Sequence, residues 1–475
     1  MVSSSQSRQL KQSAVGTAGI VFLVVSAAAP LGATLGAGPV AFAASGVGAP
    51  GLFAVVAVVL LLFAVGYAGM SEHVTDAGGF TAFVALGIGP RAGQAAAGVA
   101  LLAYNCLLVG ITGQFGEFGH DLLARWGVDV PWQPLALAAL LAVGVLGYLE
   151  LDLSARVLGV LMAAEVLVLV AFDLAVITSG GAEGVNADAF APSALVAGAP
   201  GVALLFAFTC FVGFEAATVY GEEAREPRRT VPRATYASVV LMGLFYATTT
   251  WAVGLAHGSG AVAARAAEDP VGFVTAVTTR HLGQAATDVV QVLVVTSVFA
   301  VLLALHNTLS RYLFALGRGG LLPDALGRTH PRFRSPHRAS ATQTCVTLLV
   351  LGVFTAAGVH PFTQLFPWLV GVGTLALLVV QTGAALAVVA FFRRTPGGGR
   401  WSTLVAPLLG FAGLAVFTGL AVANLDLLTG LTGPPAYLLA LLIPAAACAT
   451  LACGLRRRAT AGPGVPAAGS ARARG

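Results

Sequence analysis

Apolar runs about the length of a bilayer core recur along the chain, and short polar pieces separate them. A membrane-spanning helix needs about 20 predominantly apolar residues. On that criterion the pattern predicts about twelve spans, roughly at 15–43, 50–70, 94–117, 133–148, 156–178, 199–222, 235–256, 285–308, 341–359, 363–391, 403–425 and 434–455. The fourth is short and the ninth is marginal. Lipid offers the backbone no hydrogen bonds, so each run satisfies its own N–H and C=O groups as a helix. A β-barrel would show short alternating segments instead. The expected fold class is therefore an all-α polytopic membrane protein.

Composition narrows this further. Of 475 residues, 57% are hydrophobic and 9% charged, and the mean hydropathy is +0.88. A soluble domain carries about 25% charged residues, so a large soluble helical protein is excluded. The 59 glycines suit close helix packing in a membrane, where small faces replace the hydrophobic effect. Cys106, Cys210, Cys345, Cys448 and Cys453 all lie in apolar spans. Their odd number and lack of metal-ligand spacing imply neither a disulfide framework nor a metal site. The first apolar run is too long for a signal peptide and leads into further spans.

The net charge of +5 and the pI near 9.1 would suit nucleic acid, but the positive charge is spread over loops. Of the 25 Lys and Arg, only Arg125, Arg265 and Arg280 fall on one side of the predicted spans. All the others, from Arg8 and Lys11 to Arg474, fall on the opposite side. The positive-inside rule then puts both termini in the cytoplasm and the protein in the cytoplasmic (inner) membrane. The domain reading is a cytoplasmic tail over 1–14, a core over 15–395, two peripheral spans within 396–458 and a disordered tail over 459–475.

Two spans carry interruptions. The first reads Ser26-Ala27-Ala28-Ala29-Pro30-Leu31-Gly32. Pro30 removes a backbone donor and disfavours helical geometry at Ala29, and Gly32 loosens the next turn. The sixth reads Phe211-Val212-Gly213-Phe214-Glu215, with a glycine beside an ionisable residue. Spans 1 and 6 take the same place in two five-helix halves, roughly 15–178 and 199–391, which an odd helix count inserts in opposite orientations. Paired interruptions of this kind point to a transporter binding site. The exposed N–H groups of one half-helix attract a carboxylate, and the C=O groups of another attract an ammonium. A zwitterion such as an amino acid suits this arrangement. Each break alone also fits an ordinary kink.

Span 6 and its extension carry a family resemblance. The stretches Phe211 to Ala217 and Gly221-Glu222-Glu223-Ala224-Arg225-Glu226-Pro227 to Ala234 resemble the sixth helix and following loop of the amino acid–polyamine–organocation (APC) superfamily. Gly66-Tyr67 with Ala77-Gly78-Gly79-Phe80-Thr81 resembles that family's second helix and its re-entry. His306-Asn307-Thr308-Leu309-Ser310-Arg311-Tyr312, followed by Arg318 and Leu322-Pro323, resembles the end of its eighth helix. The resemblance covers roughly 15–395. It implies a leucine-transporter-type fold of two inverted five-helix repeats plus two peripheral helices, working by alternating access. Two positions depart from it. Ser26 to Pro30 replaces a Gly-Ser-Gly string frequent in the first helix, and Thr81 stands where tyrosine is frequent.

Two carboxylates lie near span centres, Glu165 and Glu215. A carboxylate there costs a few kcal/mol and faces a cavity or a partner. Glu215, at the sixth-span break, is read as a group that orients substrate or braces the break. In relatives, the resemblance puts a lysine at the place of Glu165, where it stands in for a sodium ion between helices 1, 5 and 8. Glu165 is therefore the candidate protonatable coupling site, with a plain interhelical hydrogen bond as the bland reading. Thr296 and Ser297 are candidate oxygen donors beside it, although hydroxyls in helices often bond their own backbone. Tyr104 and Asn105 are candidate cavity-lining residues in the third span, and His306 is read as a structural contact.

The substrate-binding candidates are thus Ser26, Ala27, Ala28, Ala29, Pro30, Gly32, Tyr104, Asn105 and Phe211 to Glu215. The partners expected are an amino acid or related amine, a proton as coupling ion and the lipid bilayer, with no cofactor, metal or nucleic acid. A polyamine or amine exchanger of the same fold is the alternative within transport. A membrane enzyme, a channel and a sensor are the rivals outside it. No phosphate loop, zinc motif, nucleophile elbow or repeated pore unit supports them.

Overall fold

The computed structural model describes residues 16–71, 79–149, 155–215, 226–333, 335–395, 399–429 and 434–460. Ala77 and Gly78, Ser154, the Ala216–Arg225 stretch, the tail over 1–14 and the tail from 461 onward lie outside the described residues. Among the described residues every regular element is helical and none is a strand.

The first predicted span folds as two helices, α1 (Thr17–Ala28) and α2 (Pro30–Ser45), divided at Ala29. Ala29 has φ 43° and ψ 77°, and it is the one non-glycine residue with positive φ among the described residues. That conformation costs an L-residue roughly 1–2 kcal/mol. Pro30 begins α2, where its missing N–H and fixed φ cost nothing. Then come α3 (Ala49–Ser71), α4 (Gly79–Gly87), α5 (Pro90–Arg125), α6 (Trp132–Leu149) and α7 (Ala155–Ser179). A loop with the short α8 (Pro192–Leu195) leads to α9 (Pro200–Thr209), the ten-residue start of the sixth span. Its chain leaves helical geometry through turns over 210–215.

The second half holds α10 (Pro227–His257), α11 (Val262–Glu268), α12 (Phe273–Leu282), α13 (Gln284–Arg318), α14 (His337–Ala356) and α15 (Phe366–Arg394). One π-helical turn, Pro361–Leu365, precedes α15, and another, Trp401–Val405, precedes α16 (Ala406–Ala423). The chain ends in α17 (Leu425–Thr429), α18 (Pro434–Ala440) and α19 (Leu442–Thr460). The predicted spans 50–70, 133–148 and 156–178 each lie within one residue of a helix, whereas α5 and α10 each run eight residues beyond a predicted end. The longest extension is α13, which runs ten residues past 308 to Arg318 because its polar end continues the helical pattern.

Ten helical stretches among the described residues are long and apolar enough to cross a membrane. The protein is thus a multi-pass membrane protein. One of these stretches, Pro30–Ser71, runs from α2 into α3. Among the described residues, the segments read as spans 1 and 6 hold helical pieces of 12, 16 and 10 residues. The outer faces are apolar, with Leu349 70% and Leu167 69% exposed, as lipid contact requires. The interior is filled by fully buried aromatics, including Phe53, Phe63, Tyr67, Phe211, Phe214 and Tyr246. In this packing α2 lies on α9, α7 on α10 and α13, and α5 on α15.

Candidate substrate and coupling site

At the first break, α2 begins with backbone donors that have no partner in their own helix. Residues of two other helices take them. Leu31 N–H donates to Glu165 Oε2 at 3.4 Å, and Gly32 N–H donates to Ser297 Oγ at 3.3 Å. The Ser297 hydroxyl in turn donates to the same Glu165 Oε2 at 2.9 Å. Glu165 from α7 and Ser297 from α13 are both buried. A carboxylate here meets the positive end of the α2 dipole, where negative charge is stabilised. The fit is close: a Cβ on Gly32 would stand 3.3 Å from Ser297 Oγ and 3.1 Å from Val298 Cγ2.

Other helices take the exposed carbonyls. Gln114 Nε2 of α5 donates to Gly32 O at 3.3 Å, and Tyr246 OH of α10 donates to Ala28 O at 3.3 Å. The Cys210 thiol reaches Ala33 O at 3.8 Å.

At the second break, Gly213 has φ 110°, a conformation that a side chain would resist. Its N–H donates to Glu215 Oε2 at 2.9 Å. Tyr104 OH of α5 donates to Glu215 Oε1 at 2.6 Å. Phe214 meets Phe63 edge-on at 6.1 Å, and Phe211 meets Tyr246 edge-on at 5.4 Å. Just before the break, the Thr209 hydroxyl pairs with Thr374 of α15 at 2.7 Å.

Tyr246 therefore joins the two breaks, because its ring packs on Phe211 while its hydroxyl holds Ala28 O. A tyrosine inside an apolar run reads as core, and no local pattern marks it out. Gln114 and the buried Asp173 on α7 were missed for different reasons. Gln114 acts across helices, and Asp173 lies toward the end of its span rather than at its centre.

The paired candidates divide. Ser297 reaches Glu165, but the Thr296 hydroxyl bonds Leu293 O of its own helix at 2.9 Å, so Thr296 supplies no oxygen to Glu165. Tyr104 turns to Glu215, whereas Asn105 accepts from Gln343 Nε2 of α14 at 2.8 Å and belongs to a helix contact. His306 is buried against Ser340 at 2.9 Å. Of the first-break residues, Ser26 and Ala27 lie in the last turn of α1, while Ala28, Ala29, Pro30 and Gly32 form the junction. Val212 is half-buried in the turn at the second break. Among the described residues no cluster of three metal-ligating side chains occurs.

Both breaks lie inside a stretch, residues 19–444, that matches the family model for the amino acid permeases. The chain belongs to the amino acid permease family. That family is part of the APC superfamily. A relative of this permease is the branched-chain amino acid permease BcaP of Lactococcus lactis subsp. cremoris, 27% identical over 413 residues, covering 81% of this chain and 84% of the relative. The branched-chain amino acid permease BcaP of Bacillus subtilis is 24% identical over 385 residues, covering 75% and 78%. The methylthioribose transporter of Bacillus subtilis is 28% identical over 192 residues, covering 40% and 38%.

Proposed function

We propose that this permease is a secondary active transporter that carries an amino acid across the cytoplasmic membrane by alternating access, coupled to a proton on Glu165. The observation that carries the reading is the Glu165–Ser297 cap on α2. The N–H groups that a substrate carboxylate would use are held by the protein's own carboxylate and a hydroxyl. Protonation of Glu165 removes the negative charge that faces the α2 dipole and frees that end for a substrate carboxylate. One proton and one carboxylate then share one electrostatic site. The second break supplies carbonyl dipoles for the ammonium, and Glu215 with Tyr104 fixes its shape.

The architecture proposed is twelve spans, from ten continuous helical stretches and two interrupted segments, arranged as inverted repeats of five plus two peripheral helices. The termini are cytoplasmic. The names of the two long relatives favour a branched aliphatic side chain, which the phenylalanines around the second break would receive.

The test is uptake of labelled L-isoleucine into proteoliposomes under an imposed pH gradient. Acid outside should raise uptake in the unaltered protein. Glu165→Gln keeps an oxygen that can accept from Leu31 and Ser297 but cannot exchange a proton, so it should lose the pH dependence. Unchanged uptake and unchanged pH response in Glu165→Gln would refute the coupling role.

A further inference from the structure

Helix α7 carries a second buried acid that the site above does not use. Asp173 is 6% exposed and lies eight residues after Glu165, about 12 Å further along the helix at 1.5 Å per residue. Its Oδ2 accepts the Thr249 hydroxyl of α10 at 3.0 Å. Its Oδ1 is buried with no hydrogen-bond partner. Buried polar atoms are nearly always paired, so an orphan calls for a physical reason. A carboxylate inside a membrane helix faces a partner or a pathway, and one neutral hydroxyl is a poor counterpart for a full charge.

Among the described residues, the helices packed on α7 bring no cation to Asp173. Helices α1 and α2 hold no titratable side chain. From α12, His281 stands edge-on to Phe172 at 6.4 Å and pairs with Ser179 at 3.2 Å. Burial and the neighbouring Arg280 lower its proton affinity. The Arg280 guanidinium is directed to Ala256 O at 3.4 Å. On α10, His257 is stacked on Phe273 and bonded to its carbonyl. On α13, Asp288 is held by Gln284, and Gln291 bonds Asp121.

We propose that Asp173 is a second proton-binding site, taking a proton at Oδ1 from the aqueous phase at the Ser179 end of α7. The inference rests on the reading of this protein as proton-coupled. In the proposed orientation that end is extracellular, so a proton meets Asp173 before Glu165. The neutral acid then carries no charge against the Thr249 hydroxyl, and the same proton is released unchanged when the site reopens. Three residues before Thr249, Tyr246 holds Ala28 O at the first break. A shift of α10 at Asp173 is therefore felt at the substrate site.

The experiment is infrared difference spectroscopy of the full chain in liposomes, comparing acid with alkaline buffer in the carboxylic acid C=O region. The proposal expects one band lost in Asp173→Asn and a different one lost in Glu165→Gln. It also expects Thr249→Val to move the titration midpoint of the Asp173 band alone. No band lost in Asp173→Asn, with one lost in Glu165→Gln, overturns the second site and leaves the coupling role standing. A band lost only in Asp173→Asn supports the second site and contradicts the role of Glu165. Bands unchanged in both variants overturn both. Where Asp173→Asn fails to fold, Thr249→Val decides, and midpoints identical to the unaltered protein overturn the proposal.

Discussion

At the junction of α1 and α2, a single carboxylate oxygen serves two donors, Leu31 N–H and Ser297 OH. Ser297→Ala removes the bridge to Gly32 N–H and leaves a buried donor unmade, which costs roughly 1–3 kcal/mol. Chemical or thermal denaturation of the purified variant should register that loss. Tyr104→Phe at the second break removes a hydroxyl from Glu215 and keeps the ring. Transport should fall at least tenfold while stability drops by no more than the roughly 1–3 kcal/mol of one lost buried hydrogen bond, because the packing of Tyr104 against Tyr312 at 5.7 Å survives. A drop in stability with unaltered transport would make Tyr104 a brace only. Some of this was legible in the sequence: an acid near the centre of the fifth span and a serine in the eighth are visible as candidates. That Ser297 and not Thr296 faces Glu165 depends on the rotation of α13, which a uniformly apolar run does not encode. Asp173 escaped because a carboxylate near a span end reads as an approach to the water interface.

At the scale of the helix, the two breaks were legible because proline and glycine act through the backbone. Pro30 fixes where α2 starts, and Gly213 permits the turn after α9. Pro30 made a departure from helical geometry at Ala29 legible, but not its left-handed conformation, since alanine is a strong helix former and no glycine marks the position. Ala29→Gly should therefore keep full stability. Ala29→Val should lose about 1–3 kcal/mol, the scale of a strained backbone position. Unfolding midpoints of the two variants measured side by side check this, and equal midpoints would show that the junction relaxes. The ten-residue continuation of α13 to Arg318 was hidden by a switch from apolar to polar residues. Hydropathy sees that switch as the end of a span, while the backbone continues.

For the whole molecule, the strongest sequence signal was the unequal distribution of arginine. It gives an expected topology that accessibility can check. In a background without native cysteines, a cysteine at Gly184 should be labelled by an impermeant reagent from outside intact cells. One at Arg474 should react only after permeabilisation. The reverse pattern would invert the topology and put Asp173 on the inner side of Glu165.

The central claim is that the broken helices bind an amino acid. Its most direct measurement is the thermal stability of the purified protein against a panel of amino acids, polyamines, small amines, sugars, nucleobases and methylthioribose. A ligand at 100 times its Kd stabilises the native state by about 2.7 kcal/mol. The account predicts a rise in melting temperature with branched aliphatic amino acids, absent when their carboxylate is amidated. A rise confined to sugars, nucleobases or methylthioribose, or one indifferent to the carboxylate, would contradict it.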